Sequence, residues 1–159
     1  MTPRRAIAVV GPSDTDDALR ETAYAVGKLL AQRGAVVMTG GLGGVMAAAS
    51  QGAHDADGLV IGLLPTSEPA DANEFVDVAI PTGLGELRNG LLVRSVAGVI
   101  AVGGSWGTLS EIALAMRTGT PVVCLLGWKI SDQAGDRVNL VTASSAAEAI
   151  DVLFRAMKD

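Results

Sequence analysis

Cysteine is nearly absent: Cys124 stands alone in 159 residues. One thiol permits no disulfide framework, and a metal site built on cysteines is excluded with it. Aromatic residues are scarce, with two Trp, two Phe and one Tyr, so the apolar mass has to come from aliphatic side chains. Basic charge is in deficit. Lys and Arg number 12 against 17 Asp and Glu, a net charge of −5 without the positive excess that a nucleic-acid surface requires. Long apolar runs are missing too. The longest, residues 96–102 and 122–126, fall far short of the ~20 residues of a membrane-spanning helix. Neither nucleic acid nor membrane is therefore an expected partner. Met1-Thr2-Pro3-Arg4-Arg5 carries two arginines and no apolar stretch before the first strand-like run, so no secretory leader is expected, and the cytoplasm is the expected location.

What the chain does have is aliphatic mass and glycine. Hydrophobic residues make up 49% and charged ones only 18%, which excludes a disordered or acidic solvating chain. Twenty glycines accompany Val, Leu, Ile and Ala, the profile of buried parallel strands joined by tight turns. The length suits one domain, residues 1–159, able to bury a core without staples. Periodicity predicts strands at 6–10, 35–38, 58–64, 98–102 and 122–126, with short extended pieces at 75–80 and 138–141. Helical spacing falls at 14–33, 45–53, 86–95, 108–117 and 144–157. Strands separated by single helices imply a Rossmann-like α/β sandwich of three layers around a mostly parallel sheet.

In such a sheet, ligands bind beyond the carboxyl ends of the strands. Three strand-to-helix turns carry suitable residues: Gly11-Pro12-Ser13, the run Thr39-Gly40-Gly41-Leu42-Gly43-Gly44, and Gly103-Gly104-Ser105-Trp106-Gly107-Thr108. Glycine lets a ligand approach the backbone closely, and the next helix offers free N–H groups that suit phosphate. Each glycine could equally serve only a tight turn. The pattern is neither the dinucleotide fingerprint, since no Gly-x-Gly-x-x-Gly follows the first strand, nor a P-loop, since no Lys-Ser/Thr pair follows either glycine run.

The segment Gly103-Gly104-Ser105-Trp106-Gly107-Thr108-Leu109-Ser110-Glu111 resembles the Pro-Gly-Gly-x-Gly-Thr-x-x-Glu motif of the LONELY GUY family, often labelled lysine decarboxylases. Gly40-Gly41-Leu42-Gly43-Gly44-Val45-Met46 is similar to that superfamily's Gly-Gly-x-x-Gly-Leu-Met turn, and Arg88 stands where its motif arginine stands. The departures are Gly103 for proline, Ser105 for glycine, Ser110 for glutamate and Asn89 for lysine. Pro81-Thr82-Gly83, Arg88-Asn89 and the run from Thr108 to Ala115 are closer to the short, single-domain branch, which includes molybdenum-cofactor carriers. The resemblance implies a homodimer or homotetramer and a phosphorylated small-molecule partner, either a nucleoside monophosphate or a molybdopterin-like compound. It also offers two activities. One is carriage of a phosphorylated, flat-ringed molecule with no cofactor of the protein's own. The other is hydrolysis of the N-glycosidic bond of a nucleoside 5′-monophosphate, with Arg88 and Glu111 as the catalytic pair.

The residues themselves admit plainer roles. Glu111 with Thr108 forms a Thr-x-x-Glu pattern, which is also a capping box. Arg88 could be a solvated helix charge, or its planar fork could grip phosphate or carboxylate in two places. Leu87, Leu91 and Leu92 beside it read as core-facing, and the same leucine-rich helix is a natural subunit contact. Asn89 could read a base edge or a sugar. Trp106 could stack on a flat heterocycle, cover its helix or meet a second subunit. Gly11, Ser13, Gly40, Gly41, Gly44, Met46, Gly103, Gly104, Ser105, Gly107 and Thr108 complete the candidate binding set. Asn73 and Asp77 lie in an irregular stretch that could close over it. His54 reads as a surface residue, Cys124 as core and Trp128 as packing or interface.

Overall fold

The computed structural model describes residues 3–157; the N-terminal pair, on which the reading of a missing leader partly rests, lies outside the described residues. The elements run β1 (Ala6–Val10), α1 (Asp17–Gln32), β2 (Val36–Thr39), α2 (Val45–His54), β3 (Val60–Leu64), β4 (Val78–Pro81), α3 (Arg88–Arg94), β5 (Gly98–Val102), α4 (Trp106–Thr118), β6 (Val122–Leu125) and α5 (Ala146–Ala156). All six strands pair in parallel, in the order β4-β3-β2-β1-β5-β6. Alternate side chains of each strand feed opposite layers. Ile7 and Val9 of β1 join α1, α2 and α5 around Val26, Leu30, Ala49 and Leu153. Ala8 and Val10 face the other way, onto Leu92 and Val93 of α3 and Ile112 and Ala115 of α4. The result is the three-layer α/β sandwich read from the sequence. No helix of the described residues is long and apolar enough to cross a membrane.

Three local readings are corrected. Helix α4 begins at Trp106, not Thr108, because Ser105 is the cap: its hydroxyl accepts from Thr108 N at 3.2 Å. Trp106 therefore stands on the first helical turn rather than on a loop. Residues 138–141 form no strand. Val138 N bonds back to Ile130 O within its own loop, and β6 gains only an isolated bridge from Cys124 to Thr142. Finally, Leu92 is core, but Leu87 and Leu91 are 76% and 43% exposed, since α3 turns only one face to the sheet.

Candidate ligand-binding site

The strand order places β1 centrally, with the sheet growing through β2 on one side and through β5 on the other. Crossovers leave in opposite directions at that point, so a crevice opens beyond the carboxyl ends of β1 and β5. A cleft of about 270 Å³ lies there. Gly11, Pro12 and Ser13 form one wall, directly after β1. Ser105, Gly107 and Thr108, at the start of α4, form another. Leu42 and Met46 reach in from the β2–α2 turn and α2, and Arg88, Asn89 and Glu111 close the floor from α3 and α4.

Arg88 is buried, with only 8% of its surface exposed. Its Nη1 donates to Leu63 O at 2.9 Å, which aims the guanidinium across the carboxyl end of β3. Its Nε is buried and has no partner. An orphaned donor on a buried charge is costly, so a bound group that accepts from it would be favoured. Gly40 makes room for this seat, because a Cβ there would overlap Arg88 Nη1 and crowd Met46 Sδ.

Glu111 is also buried, 7% exposed, and stands at the cleft. It caps nothing: Ser105 occupies the cap, and the Ser105 and Thr108 hydroxyls lie 2.9 Å apart. The capping-box reading of Thr108 and Glu111 is thereby set aside. Burial pushes the Glu111 carboxyl up from 4.5 to about 7, against the opposing pull of Arg88. Burial likewise lowers the Arg88 guanidinium, and Glu111 offsets part of that. The two side chains form no ion pair, so a group could lie between them. Asn89 is tied to α4 by Nδ2 donating to Ser110 Oγ at 3.0 Å. Its amide is already engaged, which makes it a brace between the two helices as well as a lining residue.

Residues 4–151 match the SLOG cluster4 family. The chain belongs to that family. An uncharacterized protein of Archaeoglobus fulgidus is 39% identical over 145 residues, 87% of this chain and 95% of its own length. Among solved structures, the molybdenum cofactor binding protein of the phototrophic bacterium Rippkaea orientalis is 37% identical over 98% of both chains, with a TM-score of 0.87. The molybdenum cofactor carrier protein of Chlamydomonas reinhardtii is 31% identical over 99% of this chain and 100% of its own, with a TM-score of 0.84. The family likeness read from the two glycine motifs thus holds at the level of the SLOG superfamily.

Not every candidate residue of this SLOG chain reaches the cleft. Gly41 and Gly44 shape the β2–α2 turn, with φ of +78° and +64°, rather than lining the cavity. Gly103, Gly104 and Trp106 lie off its lining: Gly103 abuts Leu19, and Gly104 faces the Trp128 ring. Asn73 pins the glycine turn instead of closing over the site, its Nδ2 donating to Leu42 O at 2.9 Å. Asp77 accepts from Val60 N at 2.8 Å, at the opposite end of β3. His54 ends α2 with its ring 5.9 Å from Phe75. Two lining residues went unread, Pro65 and Glu86, and two others, Pro12 and Leu42, were read only as members of their turns. Pro65 was findable, since it follows β3 directly at the carboxyl end of the sheet.

Proposed function

We propose that the cleft binds a phosphorylated, flat-ringed small molecule, a nucleotide or pterin-type cofactor, and holds it as a carrier without turning it over. The observation that carries this reading is Arg88, a buried cation at the switch-point cleft with its Nε unpartnered. A phosphate oxygen at that position would satisfy Nε and balance the charge. The N-terminus of α4, opening on the same cleft at Gly107 and Thr108, adds a favourable field for an anion. The likeness to molybdenum cofactor binding and carrier proteins supports a pterin-type ligand. Exposed Leu84, Leu87 and Leu91 support a homodimer or homotetramer. A monomer of about 16 kDa by light scattering across a dilution series would remove that assembly from the proposal.

One observation favours the phosphoribohydrolase as a second reading. A carboxyl poised near pH 7 in the cleft suits general acid–base work at an N-glycosidic bond. Calorimetry with AMP, run beside an assay for released adenine, separates the two. A carrier binds, loses binding with Arg88→Ala and releases no base. Adenine release by the wild type, abolished in Glu111→Gln while AMP still binds, would install the enzyme in its place.

A further inference from the structure

Both tryptophans of the chain meet beside the Gly103–Ser105 turn, off the lining of the Arg88 cleft. Trp106 is 80% exposed, yet it is held: its ring lies 5.5 Å from that of Trp128, tilted by 40°. Trp128 is anchored in turn, its Nε1 donating to Ser105 O at 3.3 Å, and Gly104 leaves room for its ring. Beside them Leu126 adopts φ of +53°, a backbone region that a leucine rarely enters, and leaves 62% of its surface in solvent. A concavity of about 430 Å³ follows, lined by Gly104, Leu126, Gly127, Trp128 and Lys129. Scattered exposed apolar residues are ordinary. A hollow lined by an anchored indole, a strained leucine and a lysine, with a second indole packed against the first, is not a scatter.

We propose that this shelf is a second subsite, in which the Trp106–Trp128 pair stacks on a fused nitrogen heterocycle and Lys129 meets an anionic substituent of that ring system. The occupant follows from the chemistry. An indole face offers stacking that any flat heteroaromatic ring accepts, and the lone cation selects one with acidic character. Continuity with the cleft points the same way: Ser105 and Gly107, the chain neighbours of Trp106, both line it, and neighbouring Cα atoms are about 3.8 Å apart. The inference rests on the ligand class proposed above, and it splits the ligand in two, the phosphate in the cleft and the ring on the shelf.

The halves can be tested separately with neopterin, a pterin without phosphate, and ribose 5-phosphate, a sugar phosphate without a ring. Because both tryptophans of the chain stand at the shelf, tryptophan fluorescence reports on it directly, and calorimetry with each ligand separates it from the cleft. Neopterin is expected to change the emission saturably and to bind by calorimetry. Trp106→Ala should weaken neopterin about tenfold or more, far beyond any effect on ribose 5-phosphate, and Trp106→Phe should restore most of the loss. Trp106 is exposed enough that neither change threatens folding. Absence of neopterin binding, or binding that Trp106→Ala leaves at wild-type strength, overturns the shelf. So does an alanine variant that splits an oligomer without altering neopterin affinity, since the face then belongs to a second copy. Ribose 5-phosphate bound in an Arg88-dependent way while neopterin fails removes the shelf and keeps the cleft. The reverse result keeps the shelf and removes the cleft.

Discussion

In the β2–α2 turn, a Cβ at Gly40, Gly41 or Gly44 would collide with neighbouring atoms: the Arg88 guanidinium, the Leu64 side chain, and the backbone of Pro12 and Ser13, respectively. In the β5–α4 segment, a Cβ at Gly107 would meet nothing nearer than Ser105 Oγ at 3.8 Å, and Gly107 lines the cleft. Both runs are glycine-rich strand-to-helix turns, but the absent side chains serve different ends. The first turn uses glycine so that two loops and an arginine can interlock. The second is crowded at Gly103 and Gly104, by Leu19 and Trp128, but at Gly107 it leaves space that the protein itself does not fill. Glycine enrichment alone therefore does not mark a ligand; what lies where the Cβ would be does.

The largest test of that contrast is Gly44→Val. The position has φ of +64°, and a Cβ would overlap backbone of the β1–α1 loop, where Val45 N also donates to Pro12 O at 3.0 Å. A β-branched side chain there is strained in itself and has no room. We expect a loss of about 3 kcal/mol or more in urea unfolding, or no folded protein. A variant near wild-type stability would erase the distinction between the turns.

Next in size is the pH dependence carried by Glu111, on the helix that follows the open turn. Its carboxyl titrates near 7 when folded and near 4.5 otherwise, so the folded state holds the proton more tightly. Between those values, stability falls as pH rises; the penalty is absent below about 4.5 and complete above about 7. Glu111→Gln should therefore gain on the order of 2 kcal/mol over wild type at pH 8 and almost nothing at pH 4.5. An equal difference at both values would show that Glu111 is not buried beside the cleft as a proton-holding group.

Gly40→Ala probes the interlocked turn more gently. The added methyl displaces the Arg88 guanidinium and Met46, both ends of side chains, so the fold can yield. Arg88 then loses its aim toward Leu63 O. Affinity for ribose 5-phosphate should drop about tenfold or more, the scale of one charge-assisted hydrogen bond, while urea unfolding shifts by no more than about 1–2 kcal/mol.

The sandwich was legible because each strand is a short aliphatic run closed by a turn residue; β1 at Ala6–Val10 and β5 at Gly98–Val102 fall where the pattern puts them. Arg88 and Glu111 were legible as a pair through motif spacing, and the sheet's switch point brings them to one cleft. Other features depended on competition that no local pattern displays. Ser105 and Thr108 both offer a cap, and only the chain's path after β5 decides for Ser105. Residues 138–141 have a strand's composition, yet Val138 bonds back to Ile130 within the loop, and contact with β6 is limited to a single bridge around Cys124, where Cys124 N donates to Val141 O at 2.8 Å. Leu87 and Leu92 are alike in type, and the side of α3 each occupies separates them into solvent and core.

The smallest effect, and the sharpest on the open turn, is at Gly107. It sits in the first turn of α4, where its backbone needs no special conformation and a methyl group meets only ordinary contact distances. Alanine favours a helix over glycine by up to about 1 kcal/mol, so Gly107→Ala should leave stability equal or slightly raised. The same Cβ points into space that the proposed phosphate needs. Gly107→Val, with two further methyl groups in the cleft, should then bind ribose 5-phosphate several-fold more weakly while unfolding within about 1 kcal/mol of wild type. That pairing of unchanged stability with lost affinity is the opposite of the result expected at Gly44. If Gly107→Val folds normally and binds as tightly as wild type, the open turn is merely open, and the phosphate belongs elsewhere along the carboxyl edge of the sheet.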